Sequence, residues 1–105
     1  MIKLKDLIVE KTTKVGFEVI KQITGGKTSQ FGNITNANYV NHTPKGIAFG
    51  GSKWKNKIKM VEIIKTGKNK YTIEFSKGIG PGQKVVKKNI EGKMIYSILK
   101  EALGI

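Results

Sequence analysis

Two β-rich segments joined by a turn constrain the fold of this chain more than any other feature. They occupy residues 57–77, and both are rich in β-branched and aromatic side chains. Gly67 lies in the polar stretch between them, so the pattern predicts an antiparallel hairpin. The second arm alternates, which places Tyr71, Ile73 and Phe75 on one face. We expect that face to be buried and the opposite face to be wet.

The first arm of the hairpin alternates less cleanly. Met60 and Ile64 share a face with Glu62, whereas Val61 and Ile63 share the other face with lysines. Two explanations stay open at this point. The arm either contains a β-bulge that redirects its side chains, or carries apolar residues on both faces.

An amphipathic pattern near the end of the chain predicts a helix over residues 91–103. Asn89 is a suitable N-cap, and Gly104 is a suitable residue to follow the last turn. The apolar residues recur at helical spacing and form a broad stripe, which consists of Met94, Ile95, Ile98, Leu99, Ala102 and Leu103. This stripe is typical of a helix packed on a sheet, and its width leaves room for a second subunit.

The remaining segments complete an α+β fold. We predict one domain over residues 1–105, with an antiparallel β-sheet of four to five strands, a C-terminal helix packed on it and a short N-terminal helix. Residues 46–105 form the core of hairpin, sheet and helix, and residues 1–45 form a short helix, a strand and an Asn-rich loop. The separate predictions are a helix within residues 2–8, a strand over 16–23, a loop or poorly ordered hairpin over 28–45, and short strands over 46–50 and 83–88.

Charge is the strongest global signal. The chain has 20 lysines, no arginine and 7 acidic residues, for a formal net charge of +13. Codon bias of an AT-rich genome would enrich glutamate as well as lysine, so the imbalance points to a polyanionic partner. A lipid surface and plain solubility are the alternatives. Lysine suits phosphates, whereas bidentate reading of guanine favours arginine, so we expect little base discrimination.

The inventory of reactive residues argues against an enzyme. The absence of cysteine excludes disulfides, cysteine-ligated zinc and thiol catalysis. His42 is the only histidine and lies in a polar stretch. Glu62 and Glu74 could become neighbours across the hairpin, but many lysines surround them, so we interpret them as neutralising charge rather than as an acid–base pair. We therefore predict no catalytic residue, no metal ligand and no cofactor.

The apolar pattern of the sequence indicates neither a membrane-spanning helix nor a signal peptide, and we expect no membrane partner. No window approaches the ~18 consecutive apolar residues of a membrane-spanning helix. Asp6 and Glu10 interrupt the first ten residues, which is not typical of a signal peptide. We expect an intracellular protein, cytoplasmic or associated with the nucleoid, or a component of a virus particle.

The order of elements from residue 46 to residue 103 resembles a known family. The carrying segments are Lys59–Lys68 as a basic hairpin arm, Tyr71–Phe75 as its partner, Pro81–Lys84 as a turn, and the final helix. Together they are similar to the single-stranded-DNA-binding domain of the transcriptional coactivator called positive cofactor four and its bacterial and phage relatives. The resemblance implies a curved sheet, a symmetric dimer formed through the helix, and paired sheets that grip single strands through basic and aromatic side chains.

The family tends to have an aromatic residue just before the hairpin glycine, and this chain has Thr66 at that position. Trp54, Tyr71 or Phe75 would then have to stack on bases. We predict a homodimer that binds single-stranded DNA or RNA with little sequence preference through a lysine-rich, aromatic-containing sheet surface. The candidate nucleic-acid-binding residues are Lys53, Trp54, Lys55, Lys57, Lys59, Lys65, Lys68, Lys70, Tyr71, Lys77 and Lys84.

A second hypothesis belongs to a different class of function. It is a small basic structural or accessory protein, of phage origin, that binds an acidic partner or packaged DNA. The Asn-rich middle and the phage-like opening of the chain favour it. Exposure of Trp54 and Tyr71 on one surface with the hairpin lysines favours the first hypothesis, and burial of the aromatic side chains favours the second.

Overall fold

A computed structural model describes residues 13–78 and 82–105 of the chain. It shows an α+β fold in which helices pack on one face of an antiparallel sheet, so the predicted fold class is confirmed. The helix predicted within residues 2–8 lies outside the described residues. The elements are α1 (Lys14–Thr24), α2 (Phe31–Thr35), β1 (Tyr39–Thr43), β2 (Gly46–Gly50), β3 (Met60–Gly67), β4 (Lys70–Ser76), β5 (Lys84–Glu91) and α3 (Ile95–Leu103).

The sheet has five strands in the order β1-β2-β3-β4-β5, and every neighbouring pair is antiparallel. Each strand therefore pairs with the next strand along the chain. The predicted hairpin is confirmed as β3 and β4, in which Ile63 lies opposite Ile73. β1 and β5 form the two edges of the sheet.

The two faces of the sheet differ in what covers them. Val61, Ile63, Ile73 and Phe75 are at most 2% exposed and point to the core, on the side of the helices. The opposite face, here called the outer face, carries Met60 and its alternating neighbours, which are exposed or half-buried. A register shift does occur in β3, but it lies between Lys65 and Gly67. Apolar residues on both faces therefore explain the irregular pattern over 60–64.

The strand predicted over residues 16–23 is wrong, because this segment lies within α1. Thr13 caps the helix by accepting a hydrogen bond from the Gly16 amide at 2.9 Å. The buried side chains Val19, Ile20 and Ile23 follow helical spacing. Phe17, which the strand pattern placed inside, is 39% exposed.

The Asn-rich stretch over 28–45 is more ordered than the loop that we expected. Phe31–Thr35 forms α2, whose Phe31 ring packs edge-on against Phe49 with centroids 5.1 Å apart. Tyr39–Thr43 forms β1 and pairs with β2, so the predicted hairpin alternative holds for this half of the stretch. The predicted strand over 46–50 is confirmed as β2.

The final helix begins later than its sequence pattern indicates. A 3-10 turn over Gly92–Met94 precedes α3, and Asn89 lies within β5 rather than at a helix N-cap. Asn89 has a φ of 57°, which asparagine tolerates better than most residues and which belongs to an irregularity in the strand. Ile95, Leu99 and Leu103 are the buried positions of α3.

Candidate nucleic-acid interface

The predicted lysines do not form one basic surface, because the sheet divides them between its two ends. Lys59 and Lys65 flank the straight part of β3 and are separated by about 20 Å at ~3.3 Å per residue. Lys77 lies beside Lys59, whose amide bonds the Ser76 carbonyl. At the opposite end, called the turn end, are Lys45, Lys65, Lys68 and Lys70.

The outer face between these two ends is acidic at its centre. Glu62 lies directly opposite Glu74 in the β3–β4 register, so the neighbour relationship considered from the sequence is confirmed. Lys84 of β5 bonds Glu74 at 3.0 Å, which neutralises one carboxylate. This predicted site residue is therefore engaged within the sheet. A polyanion lying across the centre of the outer face would meet the remaining carboxylate.

Three of the predicted lysines do converge on a single cleft. We call it the basic cleft, with a cavity volume of about 460 Å³; its lining residues are Gly51, Ser52, Trp54, Lys57, Ile58, Lys59 and Lys77. The ring of Trp54 and the side chain of Ile58 supply an apolar floor. None of its lysines forms a salt bridge within the described residues. The cleft thus combines free positive charge with a small apolar surface.

Two side-chain hydrogen bonds hold the loop over residues 51–59, which carries most of the basic cleft. The indole Nε1–H of Trp54 donates to the Thr35 carbonyl at 2.7 Å, which ties the loop to α2. The side-chain amide of Asn56 donates to the Ala102 carbonyl at 2.8 Å, which ties it to α3. Asn56 and Lys57 have φ values of 61° and 60°. Both values lie in the left-handed region of backbone conformation, where two consecutive non-glycine residues store strain. Strain of this kind is often found in functional loops.

Two candidate lysines on this loop lie outside the cleft lining. Lys53 and Lys55 are exposed. The aliphatic chain of Lys55 covers Gly104, where an added Cβ would come within 2.6 Å of the lysine Cγ. Lys55 therefore packs against the end of α3, while Lys53 adds charge near the cleft without lining it.

The expectation that Trp54 and Tyr71 stack on bases is wrong, since both side chains belong to the core. Trp54 is 7% exposed and packs edge-on against Phe49 with centroids 5.7 Å apart. Tyr71 is 2% exposed, and burial raises the pKa of its hydroxyl. Phe75, the third candidate, is 2% exposed. Too little of each ring is exposed for a base to stack on it.

Tyr39 is an exposed aromatic residue that the sequence interpretation did not include among the site residues. Its ring is 49% exposed and covers Gly50, where an added Cβ would lie 2.5 Å from the tyrosine Cε1. The neighbouring Asn38 donates to Ser52 of the basic cleft at 3.3 Å. Tyr39 therefore lies on the outer face at the same end of the sheet as the cleft. The sequence offered no signal for this placement, because the pairing of Tyr39 with Gly50 depends on the strand register.

At the turn end, one predicted lysine is engaged within the fold. Lys65 donates to Glu18 of α1 at 2.9 Å. This hydrogen bond, together with the attraction between the charges, raises the pKa of Lys65 and lowers that of Glu18. The pair ties β3 to α1, so Lys65 is less available for a phosphate than Lys68 and Lys70, which are exposed.

His42 has a structural environment. Its Nδ1 accepts a hydrogen bond from the Thr13 amide at 3.3 Å, so the ring is neutral in this arrangement. Burial lowers its pKa. The imidazole therefore joins β1 to the beginning of α1.

Over residues 13–78 and 82–105, no helix has the length and apolar character needed to cross a membrane. The same residues contain no group of three histidine, aspartate or glutamate side chains arranged to hold a metal ion.

Comparison of the chain with known protein families, with curated proteins and with solved structures gives no match. The resemblance to the family of positive cofactor four therefore stays a prediction from the residues that carry it.

Proposed function

We propose that this protein binds single-stranded nucleic acid, DNA or RNA, through the basic cleft, with little sequence preference. The observation that carries the proposal is the convergence of Lys57, Lys59 and Lys77 on one apolar-floored cavity. Within the described residues their charges are not neutralised by salt bridges, whereas Lys65 and Lys84 are paired. Free lysines attract phosphates without reading bases, which supports sequence-tolerant binding.

The basic cleft suits a flexible strand better than a duplex. Its cavity of about 460 Å³ has room for a sugar or base beside the phosphates that the lysines contact. The exposed ring of Tyr39, on the outer face at the same end, offers a second contact for a strand that bends around the sheet. A stiff duplex cannot follow both faces. An intracellular or virion location fits this partner and is part of the proposal.

The test measures the salt dependence of binding to a labelled oligothymidylate of about 12 nucleotides. Replacing Lys57, Lys59 and Lys77 together by glutamine should weaken binding at low salt. It should also flatten the slope of log K against log salt by about 2, because each lost phosphate contact contributes ~0.7 for single strands. The emission of Trp54, the single tryptophan, should change when the unmodified protein binds, since its indole lines the cleft.

A matched control removes the same charge from the turn end. Replacing Lys45, Lys68 and Lys70 by glutamine lowers the net charge equally but leaves the cleft intact. The slope of log K against log salt for this control variant should stay close to that of the unmodified protein. Equal losses in the two triple variants would mean that only total charge matters, and the proposal for the cleft would fail. Tighter binding to a duplex of the same sequence would reject the preference for single strands.

The burial of Trp54 and Tyr71 favours a second candidate function, that of a basic accessory protein with an acidic partner. Under this alternative, the lysines serve attraction at long range and the aromatic rings serve the core. Equal affinity for heparin and oligothymidylate, without a change in Trp54 emission, would favour it.

A further inference from the structure

The edge strand β5 leaves one side of its backbone without a partner. It is the last strand of the sheet, and residues 84–89 are exposed throughout. Within the described part of the chain, its strand pairing is with β4 alone. Alternate N–H and C=O groups of an edge strand point away from the sheet and can bond another strand.

A groove with apolar and charged lining residues lies beside this edge. Two cavities of about 400 and 370 Å³ share Ile98 of α3 as a lining residue. The first also contacts Lys87 and Ala102, and the second contacts Ile90 and Met94. We call the two cavities together the edge groove. It runs along the part of the α3 stripe that the core does not bury, where Met94 is 45% exposed.

We propose that the edge groove binds an extended acidic segment of another protein, which adds to β5 as a further strand. Main-chain hydrogen bonds along the free edge would supply affinity, and alternate side chains would enter the groove. Side chains on the other face of the added strand would lie beside Val86, which is 45% exposed on the outer face. An open strand edge beside a groove that can accept alternate side chains is suited to strand addition.

Charge identifies the occupant as acidic. The exposed part of β5, residues 84–89, carries Lys84, Lys87 and Lys88 and no acidic residue. Two carboxylates, Glu91 and Glu101, also line the edge groove, and Glu91 forms a salt bridge with a neighbouring lysine. Lys87 and Lys88 form no salt bridge within residues 13–78 and 82–105. Lysines on an edge oppose pairing with a neutral or basic strand. A second copy of this chain would bring a charge of +13 and the same lysines to the interface, whereas an acidic strand would neutralise them.

A nucleic acid fits this surface less well than a peptide. It could contact the lysines, but its backbone has no peptide groups to pair with the strand edge. The apolar lining around Ile98 and Met94 also suits aliphatic side chains better than phosphates.

The experiment uses the full chain and a fluorescent octapeptide of alternating glutamate and valine. Amide hydrogen exchange should slow at alternate positions of β5 when this peptide binds. A version N-methylated at every second residue keeps the charge but cannot complete the ladder, so it should bind at least about tenfold more weakly. An octapeptide of alternating lysine and valine should not bind.

A charge reversal in the protein locates the site. Lys87→Glu with Lys88→Glu should lower peptide affinity by at least about tenfold, whereas Lys68→Glu with Lys70→Glu at the turn end should change it much less. These side chains are exposed, so both variants should fold, which thermal denaturation checks. The glutamine variant of the basic cleft should retain peptide binding, which separates this proposal from the nucleic-acid function.

Four results would overturn the proposal. The first is equal affinity of the two charge-reversed variants, and the second is equally tight binding of the N-methylated peptide. The third is exchange protection of β5 by oligothymidylate and not by the peptide. The fourth is concentration-dependent dimerisation that protects β5 without any peptide, which would assign the edge groove to a second copy of the chain.

Discussion

Replacement of Trp54 by phenylalanine tests whether the indole serves the fold or a ligand. The substitution keeps an aromatic ring against Phe49 but removes the Nε1–H that donates to the Thr35 carbonyl at 2.7 Å. Because this carbonyl would lose its buried donor, the free energy of unfolding should fall by about 1–3 kcal/mol. A loss of about 2 kcal/mol corresponds to a decrease in Tm of about 8–16 °C for a domain of this size. Since small domains have about 5–15 kcal/mol of stability, the variant should still fold at 25 °C.

The assay combines circular dichroism with binding, since the variant lacks its only tryptophan. Thermal and urea denaturation give the stability of the Trp54→Phe variant and of the unmodified chain. Oligothymidylate affinity is then measured across salt concentrations at a temperature where both are folded. We expect a lower Tm and an unchanged salt slope. An unchanged Tm with weaker binding at every salt concentration would refute this reasoning, because the indole would then be a ligand contact.

Three further predictions address the contacts around the sheet. Gly16→Ala should destabilise the protein by about 1–3 kcal/mol in urea denaturation, because the added methyl group would collide with the His42 imidazole. Alanine normally favours helices, so a stability equal to or greater than that of the unmodified protein would contradict this prediction. Because burial lowers the folded-state pKa of His42 below 6.5, the neutral ring contributes stability above pH 6.5 that is lost as the pH falls. His42→Gln should reduce this dependence between about pH 5 and 7, and an identical pH profile would reject the role of the ring. Glu62→Gln removes one of two opposed carboxylates, so the urea midpoint and the oligothymidylate affinity should both rise. The control is Glu101→Gln, which changes the charge equally and should raise neither quantity as much.

The hairpin was predictable because its signal is local. Period-two alternation in Tyr71, Ile73 and Phe75 requires one buried face whatever surrounds it, and the structure buries all three. α1 was missed for an equally local reason. The strand interpretation aligned Phe17, Val19 and Ile23 but passed over Lys21, which a strand would also have buried. The adjacent buried pair Val19 and Ile20 is the helical signal.

The grouping of the site residues depends on the register of the strands, which cannot be read from the sequence. Eight lysines between residues 53 and 77 look continuous in the chain, yet β3 separates them into two groups. The burial of Trp54 was hidden for a similar reason. Its neighbours Lys53 and Lys55 indicate an exposed segment, whereas its core partners Phe49 and Thr35 come from β2 and the end of α2. Tertiary contacts of this kind override local pattern.

The distribution of charge on the finished fold favours two separate binding surfaces rather than the single basic sheet expected from the sequence. Glu62 and Glu74 occupy the centre of the outer face, so a polyanion gains most by staying near the basic cleft at one end. β5 carries its lysines along an open strand edge, where an acidic peptide can satisfy both charge and main-chain bonds. The cleft lacks such an edge, and the edge groove lacks the converging free lysines of the cleft. The cleft therefore suits a polyanion, and the edge groove suits an acidic strand. Variants at Lys57, Lys59 and Lys77 should for this reason leave peptide binding intact.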